Sequence, residues 1–356
     1  MTAERILVCM HDFTRGGTER IAIGLAADWA EAGRDVTILC GDAEGGLRGT
    51  VSDKVKIVQL ERPVRRAFLS RLRLARAMGE HLAALKPDVI FLPGNFHALL
   101  ASGLRAADSQ ARIALKISNP PVPRGVPFAA AIFRHINRAV DGFAAMNSGL
   151  ARELKTMLPG RHVVSLHDPV YVAQKPRLPR SDGPCRILWI GRLEKQKDPA
   201  LALAVLAAMD VPSQLTMLGD GALRASLKQR ISAMGLGDKV TLAGHVSDVE
   251  SYLADADVLL ITSHFEGGPA VAVEALAQGV PVVSTDCSYL LHEIITSAES
   301  GRIVASRVPS KLAAALRDVY AMPRAPEKLQ ALAAPFEPRA CARAYLDWLD
   351  GLVRHG

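Results

Sequence analysis

Strand-like and helix-like segments alternate along nearly the whole of this 356-residue chain, and that alternation restricts it to few architectures. Short apolar runs punctuate the first half: RILVCM, DVTILC, VKIVQL, DVIFLP, RIALKI, GFAAM and HVVSL. The second half carries CRILWI, SQLTML, KVTLAG, DVLLIT and PVVST. Helical stretches fall between most of them, at residues 19–32, 64–85 and 98–107, then 199–208, 223–234, 248–254 and 269–278. A near-continuous apolar run suits a strand covered on both faces, and an intervening helix supplies the crossover that parallel pairing needs. The pattern predicts an α/β chain with two Rossmann-like, doubly wound parallel sheets. Residues 167–184, HDPVYVAQKPRLPRSDGP, are proline-rich and lack a helical period. They read as a linker. The expected division is a first domain at 1–168, a linker at 169–184, a second domain at 185–337 and a last helix at 338–356.

Composition narrows the function. The length suffices for two domains. No apolar run approaches the roughly 20 residues that span a bilayer. The start, MTAERILVCMHD, runs directly into a strand with no basic segment and apolar stretch of a secretion signal. A cytoplasmic protein is expected. The five cysteines are scattered, with no metal-ligand spacing, as buried thiols in a reducing compartment would be.

The formal charge of +7 lies wholly in residues 1–170, where 23 Lys and Arg face 16 Asp and Glu; residues 171–356 hold 20 of each. An anionic partner for the first half follows: a membrane surface, a lipid phosphate or an acidic glycan. No recognition-helix, zinc-finger or aromatic RNA-binding signature points to nucleic acid. The stretch VRRAFLSRLRLARAMGEHLAALK concentrates Arg65, Arg66, Arg71, Arg73 and Arg76, interleaved with Phe68, Leu69, Leu72, Ala75 and Met78. Such a helix either lies on anionic lipid or packs its apolar stripe on the sheet. The arginine density favours the lipid.

The richest segment is residues 262–285, TSHFEGGPAVAVEALAQGVPVVST. Glu266 and Glu274 stand eight residues apart across a strand–loop–helix junction. Gly267 and Gly268 make the turn, and Pro269 suits the first helical position because its missing N–H has no partner there anyway. Ala270 follows. Glu274 is the one charge on an otherwise apolar helix, so it needs a buried cation or a ligand's hydroxyls. Glu266 sits beside the helix N-terminus, where free N–H groups favour an anion.

Other motifs follow other strands. HDFTRGGTER places Gly16 and Gly17 before a helix, a turn that serves structure or a close backbone approach to phosphate. GRLEKQKDP offers Arg192 and Lys197 in a loop, with Lys195 as a third cation and Asp198-Pro199 as helix start. LGDGALRASLKQ turns at Gly219 and Gly221. LAGHVSD brings His245 and Val246.

This set resembles the retaining GT-B glycosyltransferases of family 4, whose donor motif matches Ser263, Glu266, Gly267, Glu274, Ala275, Gly279, Pro281, Val282 and Val283. The resemblance spans the chain and is specific mainly over residues 186–285. It implies two Rossmann-like domains facing a cleft, with the last helix crossing back to the first domain. It assigns Glu266 to the donor sugar and Glu274 to the ribose. Arg192 and Lys197 take the diphosphate, Gly16 and Gly17 the diphosphate or acceptor, and the Gly219–Gly221 turn and the backbone near His245 and Val246 the base. The family's histidine after the fifth strand is replaced by LKISNPP, so Asn119 or His97 is the expected substitute. The implied reaction is transfer from a nucleotide-sugar, a UDP-sugar, to a hydroxyl of a glycan or lipid-linked saccharide, as in polysaccharide or lipopolysaccharide synthesis. No cofactor and no metal are expected, because Asp255-Ala256-Asp257 precedes a strand. A nucleotide-sugar 2-epimerase and a non-catalytic sugar-binding protein are the alternatives. A dinucleotide dehydrogenase is disfavoured because no complete Gly-x-Gly-x-x-Gly follows a strand.

Overall fold

A computed structural model describes residues 2–14, 16–65, 70–108, 110–120, 128–172 and 183–354. The chain divides into two compact units, Met1–Pro169 with Phe336–Gly356, and Val170–Pro335.

Unit 1 holds seven strands: β1 (Arg5–Met10), β2 (Asp35–Cys40), β3 (Lys56–Gln59), β4 (Val89–Leu92), β5 (Arg112–Ile117), β6 (Gly142–Ala145) and β7 (His162–Ser165). Their order is β3-β2-β1-β4-β5-β6-β7, and every pairing is parallel. Unit 2 holds β8 (Cys185–Ile190), β9 (Ser213–Leu218), β10 (Val240–Gly244), β11 (Val258–Ile261), β12 (Val282–Thr285) and β13 (Gly301–Val304), in the order β10-β9-β8-β11-β12-β13, again all parallel. Each sheet therefore reverses direction beside its first strand, at β1/β4 and at β8/β11. Loops leaving the carboxyl ends of those strands diverge and leave a crevice for a ligand.

The central strands are apolar on both faces because helices cover both. VIFL and VLLI are buried at every position. The C-terminal helix Pro338–Arg354 packs within unit 1 against the helix Gly17–Glu31. Trp29, Phe91 and Tyr345 stack edge-on or tilted at centroid distances of 5.2, 6.2 and 6.0 Å. The Trp29 indole donates to the Ala342 carbonyl at 3.2 Å, and Asp350 accepts from the Ala3 amide at 2.7 Å. Polar ties along an apolar seam help to fix the helix's register.

Three local expectations change. The stretch 64–85 becomes the helix Ser70–Leu85, with Leu74, Ala75, Met78 and Leu82 buried in the unit 1 core. Ala75 and Met78 therefore serve the protein core, not a lipid surface, while Arg66, Phe68 and Leu69 lie outside the described residues. The stretch 98–107 splits into a 3-10 turn, Asn95–Leu100, and a helix, Ala101–Ala107. Pro269 is the cap before the helix Ala270–Ala277, with extended backbone at ψ 93°, instead of its first helical residue. Within the expected linker, residues 173–182 also lie outside the described residues. Among the described residues no helix is long and apolar enough to cross a membrane, and all five cysteines are free and buried.

Candidate functional site

In unit 2 the loops after β8 and β11 meet at the switch point. Lys197, from the first loop, brings its Nζ to 2.5 Å from Glu266 Oε1. The Ser263 hydroxyl donates to the same oxygen at 2.6 Å. The Glu266 side chain is only 10% exposed, so this carboxylate is held by a cation and a hydroxyl instead of by water. Its own amide donates to the Cys287 carbonyl at 2.8 Å, which ties the turn to the loop after β12. The Ser288 hydroxyl donates to the Gly267 carbonyl at 3.1 Å. Gly268 and the buried Pro269 complete the turn, and Ala270 opens the helix.

The two loops are also knit by their backbones. His264 donates its amide to the Gln196 carbonyl at 2.8 Å, and the Gln196 side chain donates to the Phe265 carbonyl at 3.0 Å. Trp189 donates its indole N–H to the Thr262 hydroxyl at 2.9 Å. That hydroxyl in turn donates toward the carbonyls of Lys197 and Asp198, 2.9 and 2.8 Å away. Asp198 caps the helix Pro199–Ala207 from the left-handed region, at φ 44°. Burial pushes the Cys287 thiol up, partly offset by the Ser284 and Thr285 hydrogen bonds, so no thiolate nucleophile stands beside Glu266.

The remaining unit 2 candidates occupy distinct places. Arg192 is 66% exposed and pairs with Glu194 at 3.0 Å. Lys195 is exposed. Glu274 is half-buried on the helix Ala270–Ala277. His245 is exposed and Val246 half-buried beyond β10. Gly219 and Gly221 have φ of 125° and 158°, and a Cβ on either would fall 2.0 Å from the Gly191 carbonyl oxygen or 2.6 Å from that of Leu193. Only glycine permits the loops after β8 and β9 to pack this closely.

Unit 1 presents its own cavity of about 280 Å³ at the β1/β4 end. Gly16 and Gly17, Thr18 and Glu19 line one side, at the start of the helix Gly17–Glu31. Ser70, Arg71, Phe96 and His97 line the other. A Cβ on Gly16 would sit 2.3 Å from Glu19 Oε2, so the glutamate folds back over the turn. His11 also lines the cavity; it is 8% exposed, and its Nε2 has no hydrogen-bond partner among the described residues. Asn119 is exposed after β5, outside this lining.

Sequence reasoning missed three groups. Asn95 accepts from the amides of Ser118 and Asn119 at 2.9 and 3.3 Å and donates to the Asn119 carbonyl at 2.9 Å, so it shapes that loop. His11 opens HDFTRGGTER, where only the glycines were read. Arg307 grips the loops after β8 and β11. Asn95 lies just past the strand-like run DVIFLP, which was the one available signal for it.

Family models match both units of the chain. The family model for Glycosyl transferases group 1 matches residues 173–334, and that for the Glycosyl transferase 4-like domain matches residues 16–167. The chain is 34% identical over 118 residues to N-acetylgalactosamine-N,N'-diacetylbacillosaminyl-diphospho-undecaprenol 4-alpha-N-acetylgalactosaminyltransferase of Campylobacter jejuni subsp. jejuni. That match covers 33% of this chain and 32% of the relative, so it spans about a third of that enzyme's length. Among solved structures, the lipopolysaccharide outer core galactosyltransferase WaaB in its apo form gives a TM-score of 0.79 at 18% identity, covering 95% of this chain and 98% of that one. Anabaena Alr3699/HepE in complex with UDP gives 0.79 at 16% identity, covering 98% and 100%. At such identities the likeness is one of fold.

Proposed function

The chain belongs to the GT-B glycosyltransferases of the family 4 type, and on that premise we propose that it moves a sugar from a UDP-sugar to a hydroxyl of a glycan or lipid-linked saccharide, with retention and without a metal. The observation that carries this reading is the meeting of Lys197 and Ser263 on one oxygen of Glu266 at the β8/β11 switch point. Breaking the sugar–phosphate bond leaves charge on a nucleoside diphosphate. A cation held ready at the strand end stabilises that charge without reorganising. Glu266 faces the sugar, Glu274 the ribose, and Arg192 swings from Glu194 toward the diphosphate. Gly219, Gly221 and the backbone near His245 and Val246 border the base. The relative's name carries a diphospho-undecaprenol acceptor and one neighbour was solved with UDP, which supports both halves of the reaction.

The acceptor side falls to the unit 1 cavity. Its imidazoles and Glu19 accept from sugar hydroxyls, Arg71 and Ser70 donate, and the exposed Phe96 ring offers a stacking face.

A thermal-shift panel of UDP-, GDP-, ADP- and CDP-sugars, run with and without EDTA, tests the donor. A donor that binds only the folded state adds about 2.7 kcal/mol at a hundred times its dissociation constant. UDP-sugars should shift the midpoint most, EDTA should change nothing, and Glu274→Ala should reduce the shift. If no nucleotide-sugar shifts it, the reading fails.

The acceptor also gives unit 1 a reason to meet anionic lipid. Leu72, Phe96 and Leu99 are exposed at 58%, 68% and 39%, and Arg71 lies 5.1 Å over the Phe96 ring. Arg73 and Arg76 are exposed on the same helix. Each cation near such a surface contributes about 1 kcal/mol. Co-sedimentation with vesicles should rise with anionic lipid, fall with salt, and weaken when Arg71, Arg73 and Arg76 become Gln. No binding to strongly anionic vesicles at low salt would leave a soluble acceptor.

A further inference from the structure

Arg307 belongs to none of the motifs that mark the site. It stands between β13 and the helix Pro309–Ala321. Its Nη2 lies 2.6 Å from Asp198 Oδ2 and donates to the Thr262 carbonyl at 2.9 Å. Its Nη1 donates to the Ser263 carbonyl at 2.9 Å. One planar guanidinium thus joins three acceptors on two loops. A lysine's single ammonium has no such fork.

Each acceptor is chain-adjacent to a group at the site. Asp198 follows Lys197 directly. Thr262 precedes Ser263, whose own carbonyl is one of the three. Lys197 and Ser263 are the two side chains that converge on Glu266. The left-handed backbone at Asp198, φ 44°, is costly for a non-glycine residue and persists only where surroundings hold it. The Arg307 ion pair and the Thr262 hydroxyl do that holding. Thr285 adds a second tie, donating to the Ser263 carbonyl at 2.7 Å.

We infer that Arg307 is a positioning residue: by clamping Asp198 to the Thr262 and Ser263 carbonyls, it sets Lys197 and Ser263 against Glu266. The inference rests on the reading that Lys197 and Glu266 meet the donor. Displacing such groups by about 1 Å costs on the order of a hundredfold in rate.

The test uses the full chain and needs no known donor for its first arm. The wild type and Arg307→Ala are treated with an amine acetylating reagent, and labelling of Lys197 is compared with that of Lys54 and Lys56 in unit 1. Lys197 labelling should rise roughly threefold or more in the variant, as the pair opens locally. Arg307→Lys, which keeps the charge but not the fork, should fall between and covers the case in which the alanine variant fails to fold. Unchanged Lys197 labelling in the folded variants overturns the inference.

The second arm measures turnover with whichever of UDP-glucose, UDP-galactose, UDP-N-acetylglucosamine, UDP-N-acetylgalactosamine and GDP-mannose the wild type uses fastest. Arg307→Ala should cost about a hundredfold alone but less than about threefold in a Lys197→Ala background, because it acts through Lys197. Additive losses would mean it acts elsewhere and overturn the inference. Normal turnover in Lys197→Ala would instead sink the donor-site reading on which it rests.

Discussion

Lys197→Ala lowers turnover by on the order of a hundredfold or more, the cost of removing one preorganised charge-stabilising group, while the protein stays folded. Lys197 is placed for this by two independent loops and is not free to wander: its Nζ is 2.5 Å from Glu266 and its side chain is 19% exposed. A cation held in that state meets a developing negative charge with little solvent to displace. Arg192→Ala should cost less, because Arg192 is 66% exposed where Lys197 is 19% exposed. A solvated arginine must be reoriented and desolvated before it helps. Glu266→Gln keeps the size and a hydrogen bond to Ser263 but removes the charge that holds Lys197. It should lower turnover more than it lowers affinity for free UDP. The measurements are kcat and KM for the donor, and UDP affinity by calorimetry, on variants whose unfolding midpoints match the wild type. Near-normal turnover in both Lys197→Ala and Glu266→Gln would remove the pair from the reaction.

Much of this arrangement could be read before any coordinates. Runs such as VLLI at 258–261 and VIFL at 89–92 are too short for buried helices and are bounded by turns, so they are strands. Their alternation with helices fixes parallel pairing, because no shorter connection returns a chain to the same sheet edge. Glu266 drew attention for a different reason: it stands beside Gly-Gly-Pro and a helix N-terminus, where free N–H groups favour an anion. The orientation of an amphipathic face was not legible. Ala75 and Met78 recur at helical spacing whether the covering surface is protein or lipid, and the structure buries them in the unit 1 core. Arg307 was invisible because its partners lie 109, 45 and 44 residues away. A single loop arginine has no periodicity, and only the register of β11 beside β8 tells which carbonyls it will face. His11 opens HDFTRGGTER but stands five residues before its glycine turn. Its significance is the cavity it lines, a product of tertiary packing.

The same limit applied to Asp257, read from sequence as the start of a strand. It is 3% exposed, and its carboxylate accepts from the Arg186 amide at 2.9 Å and from Arg186 Nε and Nη2, both at 3.2 Å. Arg324 contacts it as well, and Arg186 also reaches Asp255. Burial alone would raise the Asp257 carboxyl, but the hydrogen bonds and charges of Arg186 and Arg324 outweigh it and hold the carboxyl below its ordinary range. Asp257→Asn should therefore destabilise the protein by about 3–5 kcal/mol, since it removes the buried carboxylate that Arg186 and Arg324 share. The sign of the pH dependence follows from the lowered value. The contribution is fully present above the unfolded carboxyl's titration, and it is lost as pH falls below about 4 through the folded value. Denaturant unfolding of both proteins between pH 7 and pH 3 should show a gap that is widest near neutrality and closes in acid. A gap independent of pH would assign the loss to packing alone. Turnover per folded molecule should survive the substitution. Asp257 enters β11 at its amino end, whereas Ser263 and Glu266 leave it at the carboxyl end, where open α/β sheets keep their ligands.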